Sequence, residues 1–217
     1  EPLVSVRWEL GSEGGEGLRS GTAEADASGF VKVFIGGLTP GRPWRYRFHS
    51  EEQASRWGFF RTIPADGPVR FGVVSCAKFN SGYFNAYEAL ADRDDLDFVL
   101  HLGDYIYEAA QIPRGHQTPG IDIGRPFDPT HDCVTREDYD RRYAQYRLDP
   151  SLRRLHENHG LVFTLDDHEI ADNAWSGGAQ EHLEHDGPWA DRLRNALSAW
   201  EDWQPTIRRP TSDQPIW

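Results

Sequence analysis

The sequence predicts an α/β domain preceded by a small all-β module, and two patterns carry this prediction. In residues 1–64, apolar and polar residues alternate with a period of two between glycine- and proline-rich turns, which is typical of half-buried antiparallel strands. From residue 69 onward, helical patterns separate short apolar runs, which is typical of parallel strands joined by a right-handed helical crossover.

The all-β module is predicted from its strands and turns. Strands are indicated near residues 4–8, 31–35, 44–48 and 57–60. The sequence Leu38-Thr39-Pro40-Gly41 is a turn signal between two of them. We count about five strands, whereas an immunoglobulin-like sandwich has about seven. The sequence therefore predicts an incomplete fibronectin-like β-sandwich over residues 1–64, followed by a proline-rich linker.

The α/β part, residues 69–217, is predicted element by element. Its strands are expected at 71–74, 97–102 and 161–165. Its helices are expected at 82–92, from Thr135 to about 148, from Pro150 to near 160, and from Pro188 onward. Thr135 with Asp138 three residues later is a capping pattern, and proline suits the first turn of a helix. The last helix carries an apolar stripe of Trp189, Leu193, Ala196, Leu197 and Trp200.

Composition excludes several classes of protein. Aromatic residues make up 12% of the chain, which argues against disorder. The 23 Lys and Arg against 35 Asp and Glu leave a net charge of −12, which disfavours nucleic acid and anionic membrane surfaces as partners. No apolar run approaches the ~20 residues of a transmembrane helix. Cys76 and Cys133 are too few for a disulfide scaffold, and Cys133 would either pair outside this chain or stay free.

Residue types that bind metals follow all three predicted parallel strands. The first strand ends at Ser75-Cys76, the second at Gly103-Asp104-Tyr105-Ile106-Tyr107-Glu108, and the third at Asp166-Asp167-His168-Glu169. Ligands of open α/β sheets bind outside the carboxyl ends of the strands, so these side chains are expected to meet in one crevice. A thiol, a phenol, an imidazole and several carboxylates are together a set of metal ligands.

Each candidate ligand has a structural alternative. Asp104 could be a turn residue after Gly103, Cys76 a small buried apolar residue, and Tyr107 a packing residue. Clustered carboxylates need a cation, however, and the two oxygens of Asp104 could bridge two metal ions. A phenol with a pKa of about 10 needs a strong Lewis acid to bind as phenolate, which favours Fe³⁺ near Cys76 and Tyr107. A second, oxygen-rich position favours Ca²⁺.

Three further residues are candidates for catalysis. His168, between Asp167 and Glu169, could donate to a phosphate oxygen or protonate a leaving group, and the alternative is a surface histidine. Asn173 and His182 could reach the same crevice, and the alternative is that they belong to a polar loop. The other histidines are expected to be structural or solvated, at positions 49, 101, 116, 131, 156, 159 and 185.

These motifs together resemble the alkaline phosphatase D family of metallophosphoesterases. The residues that carry the resemblance are Ser75-Cys76, Gly82-Tyr83-Phe84, Ala86-Tyr87, 101–108, 139–147, Asp166-Asp167-His168-Glu169 and Asn173. The resemblance implies a four-layer α/β/β/α domain, of which residues 69–217 would be the front half. It also implies iron held by Cys76, Asp104 and Tyr107, with Asp104 bridging to calcium, Asp167 as a further ligand, and His168 as the transition-state contact. Zn²⁺ or Mn²⁺ could replace these ions.

The resemblance implies a function and a location. Family members use a metal-bound hydroxide to hydrolyse phosphate monoesters and diesters, some acting on phospholipids in the manner of a phospholipase D. Most are exported by bacteria, so a secreted or periplasmic protein is expected.

The chain departs from the family pattern in its later part. The family's downstream Gly-Asp-x-His motif is not found, so a second polypeptide is expected to complete the site. The segment Arg208-Arg209-Pro210 would then suit a cleavable loop. The alternative is a non-catalytic half-domain that acts as an assembly or binding partner.

Overall fold

The computed structural model of this chain describes residues 4–12, 17–51, 53–112 and 122–206. The sequence predictions for His116 and for the cleavable segment at 208–210 lie outside these residues. The chain divides into two compact units. The first consists of Glu1–Val73, Asn85–Leu100 and Ser151–Val162, and the second of Val74–Phe84, His101–Pro150 and Phe163–Trp217.

The described part of residues 1–64, where the all-β module is predicted, contains a four-stranded antiparallel sheet. Its strands are β1 (Ser5–Ser12), β2 (Arg19–Glu24), β3 (Pro43–His49) and β4 (Gly58–Arg61), in the order β2-β1-β3-β4. Two large aromatic rings pack against glycines of the neighbouring strand. A Cβ at Gly21 would lie 2.8 Å from the Trp8 ring, and one at Gly58 would lie 2.4 Å from the Tyr46 ring. The fibronectin-like sandwich stays a prediction.

The predicted strand at residues 31–35 is wrong. Side chains there alternate between half-buried and exposed, but the segment pairs with no strand in the described part of the chain. The carbonyls that follow it, those of Gly36 and Gly37, accept hydrogen bonds of 2.8 Å each from the Arg19 guanidinium. The alternation of residue types here matches an alternation of burial, but it does not show whether the backbone pairs with another strand. Conversely, β2 was not predicted, because its sequence RSGTAE is polar.

The predicted βαβ arrangement is confirmed. A three-stranded sheet contains β5 (Phe71–Val74), β6 (Phe98–His101) and β7 (Leu161–Phe163) in the order β5-β6-β7. Helix α1 (Asn85–Ala91) follows β5 in the chain. Backbone hydrogen bonds from Asp97 to Arg70 (2.7 Å) and from Leu102 to Val74 (2.9 Å) advance in the same direction along both strands, so β5 and β6 are parallel.

Within the described residues, the chain continues with helices α2 (Arg136–Arg147), α3 (Pro150–Asn158) and α4 (Trp189–Trp203), with a 3₁₀ turn at Glu184–Asp186. Thr135 caps α2 as predicted. Its hydroxyl accepts a hydrogen bond from the Asp138 backbone N–H at 3.3 Å, and the Asp138 carboxylate accepts one from the Thr135 N–H at 2.9 Å. None of the described helices combines the length and the apolar character that a membrane span requires.

The buried face of α4 differs from the predicted apolar stripe. Its buried residues are Arg192, Ala196, Ala199 and Asp202, so only Ala196 of the predicted stripe is fully buried. The polar residues are buried because they have internal partners. Asp202 accepts a hydrogen bond from the Arg136 guanidinium at 2.8 Å, and Arg192 lies 3.4 Å from the Tyr139 hydroxyl. One of these contacts with α2 is an ion pair and the other a hydrogen bond to a neutral phenol, and apolar spacing alone could not show either.

Candidate functional site

The three loops that follow the parallel strands are tied together by their backbones. The Cys76 N–H donates to the Gly103 carbonyl at 3.3 Å, and the Ala77 N–H donates to the Asp104 carbonyl at 2.9 Å. The carboxylate of Glu169 accepts hydrogen bonds from the backbone N–H groups of Tyr105 and Asp166. The predicted meeting of the strand ends in one place is therefore observed.

Glycine at position 103 permits a close approach between two of these loops. Its φ is +103°, in the left-handed region, and a Cβ there would lie 2.5 Å from the backbone nitrogen of Asp166. Any side chain would therefore push the loop of Asp166 away from that of Gly103.

Backbone strain is concentrated at predicted site residues. Among the described residues, the non-glycine positions with positive φ are Cys76 (59°), Asp104 (53°) and Asn173 (52°). Such a conformation costs of order 1–3 kcal/mol and persists only where the surrounding contacts impose it. Asn and Asp tolerate it better than most residues, but cysteine has no such tendency. The conformation of Cys76 is therefore imposed by its surroundings, which include the hydrogen bond from its N–H to the Gly103 carbonyl.

Asp104 is the most informative side chain of the site. It is buried, its Oδ2 accepts a hydrogen bond from the Tyr107 hydroxyl at 3.0 Å, and its Oδ1 is buried without a hydrogen-bond partner. Burial raises the pKa of this carboxyl, and the neighbouring His168 opposes that effect. A buried oxygen with no donor is costly unless a cation binds it, so the environment of Asp104 fits a metal ligand.

Cys76 and Tyr107 lie beside Asp104. The exposed Cys76 thiol is near enough to influence the pKa of both the Asp104 carboxyl and the Tyr107 hydroxyl. It is not part of the group formed by Asp104, Asp167 and His168, whose ligand atoms lie within 4.8 Å of one another. Burial, followed by the charge of Asp104, raises the pKa of the Tyr107 phenol far above its usual value. Without a cation the phenol therefore stays protonated, and a strong Lewis acid would be needed to bind it as phenolate.

Asp167 and His168 complete a cluster with Asp104. One ligand atom from each of these three residues lies within 4.8 Å of the other two, which is a spacing that could hold a metal ion. The Asp167 carboxylate accepts a hydrogen bond from the Asn173 backbone N–H. The Asn173 side chain donates to Gln180 Oε1 at 2.7 Å, so its amide is engaged with a neighbouring loop residue.

His168 is held on two sides. Its Nδ1 lies 2.7 Å from Glu108 Oε2, its Nε2 lies 3.5 Å from Asp172 Oδ1, and its ring centroid lies 4.1 Å from that of Tyr107. Burial alone would lower the pKa of His168, but the hydrogen bond and charge of Glu108 outweigh it and raise the pKa to about 9. The imidazole of His168 is thus protonated at neutral pH, beside the carboxylates of Asp104 and Asp167.

The structure places His182 apart from these contacts. Its Nε2 lies 3.0 Å from the Gly187 carbonyl oxygen, and its ring packs edge-on against Trp189 at 5.2 Å. Its Nδ1 lies 3.5 Å from the Arg192 guanidinium. Both ring nitrogens therefore contact residues around the start of α4, and the expected catalytic role of His182 stays a prediction.

Cys133 was expected in a polar loop, but it is buried. Its backbone N–H donates to the Glu108 carbonyl at 2.9 Å, and burial raises the pKa of its thiol to about 12. It forms no disulfide within the described residues, and the two predicted alternatives, pairing outside this chain and staying free, both stay predictions.

Two buried glutamates were not assigned a role from the sequence. Glu108 contacts His168, and Glu169 joins two loops; burial raises the pKa of Glu169 to about 8, against the backbone donors that favour its charged form. The only signal in the sequence was their place at the end of the two acidic motifs.

A family model, a curated relative and a solved structure all indicate the same family. A family model described as PhoD-like phosphatase matches residues 71–217. Alkaline phosphatase D of Bacillus subtilis (strain 168) is 34% identical over 178 residues, which make up 78% of this chain and 30% of that protein. A solved structure described as "Structure of PhoD" has a TM-score of 0.82 at 30% identity and covers 95% of this chain and 40% of its own. The chain thus spans less than half the length of either relative.

Proposed function

The chain belongs to the PhoD-like phosphatase family, and we propose that it hydrolyses phosphoesters with metal ions held by Cys76, Asp104, Tyr107 and Asp167. The observation that carries the proposal is the buried Asp104 Oδ1, which has no hydrogen-bond partner and lies in a cluster with Asp167 and His168. The family inferred from sequence motifs is confirmed by the family model.

The donor set supports Fe³⁺ and Ca²⁺ as the ions. A thiol and a phenol beside Asp104 suit iron, and carboxylate oxygens suit calcium. Zn²⁺ or Mn²⁺ are the alternatives. When bound, the ions would activate water and neutralise the negative charge that develops on the phosphoryl oxygens.

The chain's own residues would bind the ester and move a proton. The imidazolium of His168 would donate a hydrogen bond to a phosphoryl or leaving-group oxygen. Asn173 would contribute by fixing Asp167 through its backbone N–H. His182 remains a candidate third catalytic residue, although both of its ring nitrogens contact other groups.

We further propose that a second polypeptide segment completes the site. Support comes from the first unit, where one face of the three-stranded sheet exposes apolar side chains: Phe71 is 47% exposed, Val73 53% and Val162 48%. Monomeric proteins rarely expose contiguous apolar faces, so such a face is typical of a surface covered by another element. A second sheet packed there would give the four-layer α/β/β/α arrangement that the family resemblance implies.

The substrate class is proposed as phosphate monoesters or diesters, including phospholipids. The exposed Trp175, at 54%, lies two residues from Asn173 and could contact an apolar substrate group. A secreted or periplasmic location is proposed from the family resemblance.

The experiment that tests this function measures metal content and turnover together. The chain is tested alone and together with a second polypeptide, which is the part of a PhoD-like relative that this chain does not cover. Both preparations are loaded with iron and calcium and assayed with p-nitrophenyl phosphate and bis-p-nitrophenyl phosphate. Asp104→Asn should lose bound metal and turnover, whereas Asp94→Asn, at an exposed position, should lose neither. Metal binding without turnover under both conditions would favour the non-catalytic binding role instead.

A further inference from the structure

Glu108 is a fully buried carboxylate whose two oxygens are both engaged. It is 1% exposed. Its Oε2 lies 2.7 Å from His168 Nδ1, and its Oε1 accepts a hydrogen bond from the Asp172 backbone N–H, also at 2.7 Å. As a carboxylate, the side chain offers only acceptors, one to the His168 ring and one to the Asp172 N–H.

The geometry fixes which nitrogen of His168 is available. Because a carboxylate only accepts, Nδ1 must carry a hydrogen and point toward Glu108. The Tyr107 ring, 4.1 Å away between centroids, restricts rotation of the imidazole. Nε2 is then the nitrogen that can meet a substrate oxygen, since its contact with Asp172 at 3.5 Å is too long for a strong hydrogen bond.

A purely stabilising role accounts poorly for this arrangement. Buried ion pairs contribute little net stability, because desolvation of both charges offsets their attraction. Apolar residues of similar size would fill the same space. The presence of the Glu108 carboxylate at this buried position is explained if it acts on the His168 ring.

We propose that Glu108 is a positioning residue for the proposed hydrolysis: it holds the His168 ring in one orientation, with a hydrogen on Nδ1, so that Nε2 faces the phosphoester. The proposal rests on the proposed function for the identity of the substrate. Its structural part, the orientation and protonation of the ring, does not depend on turnover.

The first test observes the ring directly in the metal-free chain. Glu108→Gln offers one oxygen and one NH₂ to two N–H donors, those of His168 and Asp172, so one donor loses its acceptor. We expect the ¹⁵N resonances of the His168 imidazole, assigned by their loss in His168→Asn, to change between wild type and Glu108→Gln. Asp138→Asn is the matched control, because Asp138 contacts His131 at 3.0 Å and not His168.

The second test separates positioning from simple damage. With the active preparation, Glu108→Gln should lower kcat about 10- to 100-fold, as loss of an outer-shell partner does in metal sites, and leave KM unchanged. In a His168→Asn background the same change should cause no further loss, because the two residues act as one unit. Glu108→Asp keeps two acceptor oxygens, so it should restore part of the activity and the wild-type ring signals.

Two results would overturn the proposal. One is an unchanged His168 spectrum in Glu108→Gln, and the other is an equal loss of kcat in the presence and absence of His168. If Glu108→Gln does not fold, Glu108→Asp is used in its place. Wild-type ¹⁵N resonances of the His168 ring in Glu108→Asp without phosphoester turnover would then contradict the positioning role. Absence of phosphoester turnover in the wild type would refute the proposed function, while the spectrum would still decide how Glu108 holds the ring.

Discussion

Replacement of Gly103 by alanine tests the close approach that brings Asp104 and Asp167 together. Position 103 has a φ of +103°, and an added Cβ would lie 2.5 Å from the Asp166 nitrogen and Cβ. Backbone strain at such a φ costs of order 1–3 kcal/mol. Overpacking against a fixed neighbour costs about 1–3 kcal/mol more. Gly103→Ala is therefore expected to lower the free energy of unfolding by about 2–6 kcal/mol.

Gly187→Ala is the matched control for this change. Gly187 also has a positive φ, +84°, but nothing lies within 4 Å of its added Cβ. Gly187→Ala therefore introduces backbone strain without a steric clash, and it should lower the free energy of unfolding by only about 1–3 kcal/mol. Urea unfolding of both variants measures the difference, since a shift in midpoint at unchanged slope reports stability.

The same variants should differ in metal binding. Gly103→Ala pushes Asp166, and with it Asp167, away from Asp104, whereas Gly187→Ala leaves that spacing intact. We expect weaker binding of metal only in Gly103→Ala. Equal stability of the two variants, or equal metal affinity, would refute the argument that Gly103 sets the spacing of the cluster.

The remaining predictions concern four other positions. Tyr107→Phe should remove any visible phenolate-to-iron absorption of the iron-loaded protein and most of its activity, and a band that persists would exclude Tyr107 as a ligand. Thr135→Ala should lower stability by about 1 kcal/mol through loss of the helix cap, measured by urea unfolding. Arg142→Lys should lower the free energy of unfolding several times more than Arg194→Lys does. The buried Arg142 guanidinium donates to four backbone carbonyls, whereas Arg194 is exposed. Because the folded pKa of His168 is raised to about 9 from 6.5, its stabilising contribution should be complete below pH 6.5 and be lost as the pH rises through about 9. The stability difference between wild type and His168→Asn in the metal-free chain should shrink over that range, and a constant difference would contradict the ion pair with Glu108.

Much of the fold was predictable because its signals are local. The parallel strands β5, β6 and β7 are short apolar runs, and α2 begins at a capping pattern, so each could be located from a few adjacent residues. The polar strand β2 and the buried face of α4 were missed because they depend on partners distant in sequence.

In the candidate site, too, some features could be predicted from local sequence and others depend on partners distant in sequence. Asp104, Asp167 and His168 were predicted to meet because parallel strands place their carboxyl ends at one edge, and one ligand atom of each does lie within 4.8 Å of the others. The contacts of Glu108 with His168 and of Glu169 with two backbone loops could not be predicted, since residue type alone does not tell which acid binds a metal and which positions its neighbour.

Anomalous diffraction from crystals grown with iron and calcium would test the central claim most directly. The account expects an iron peak at the side chains of Cys76, Asp104 and Tyr107, with Asp104 Oδ1 within about 2.5 Å of a bound ion. Ordered density for all of these side chains with no ion among them, or an ion bound only elsewhere in the chain, would contradict it.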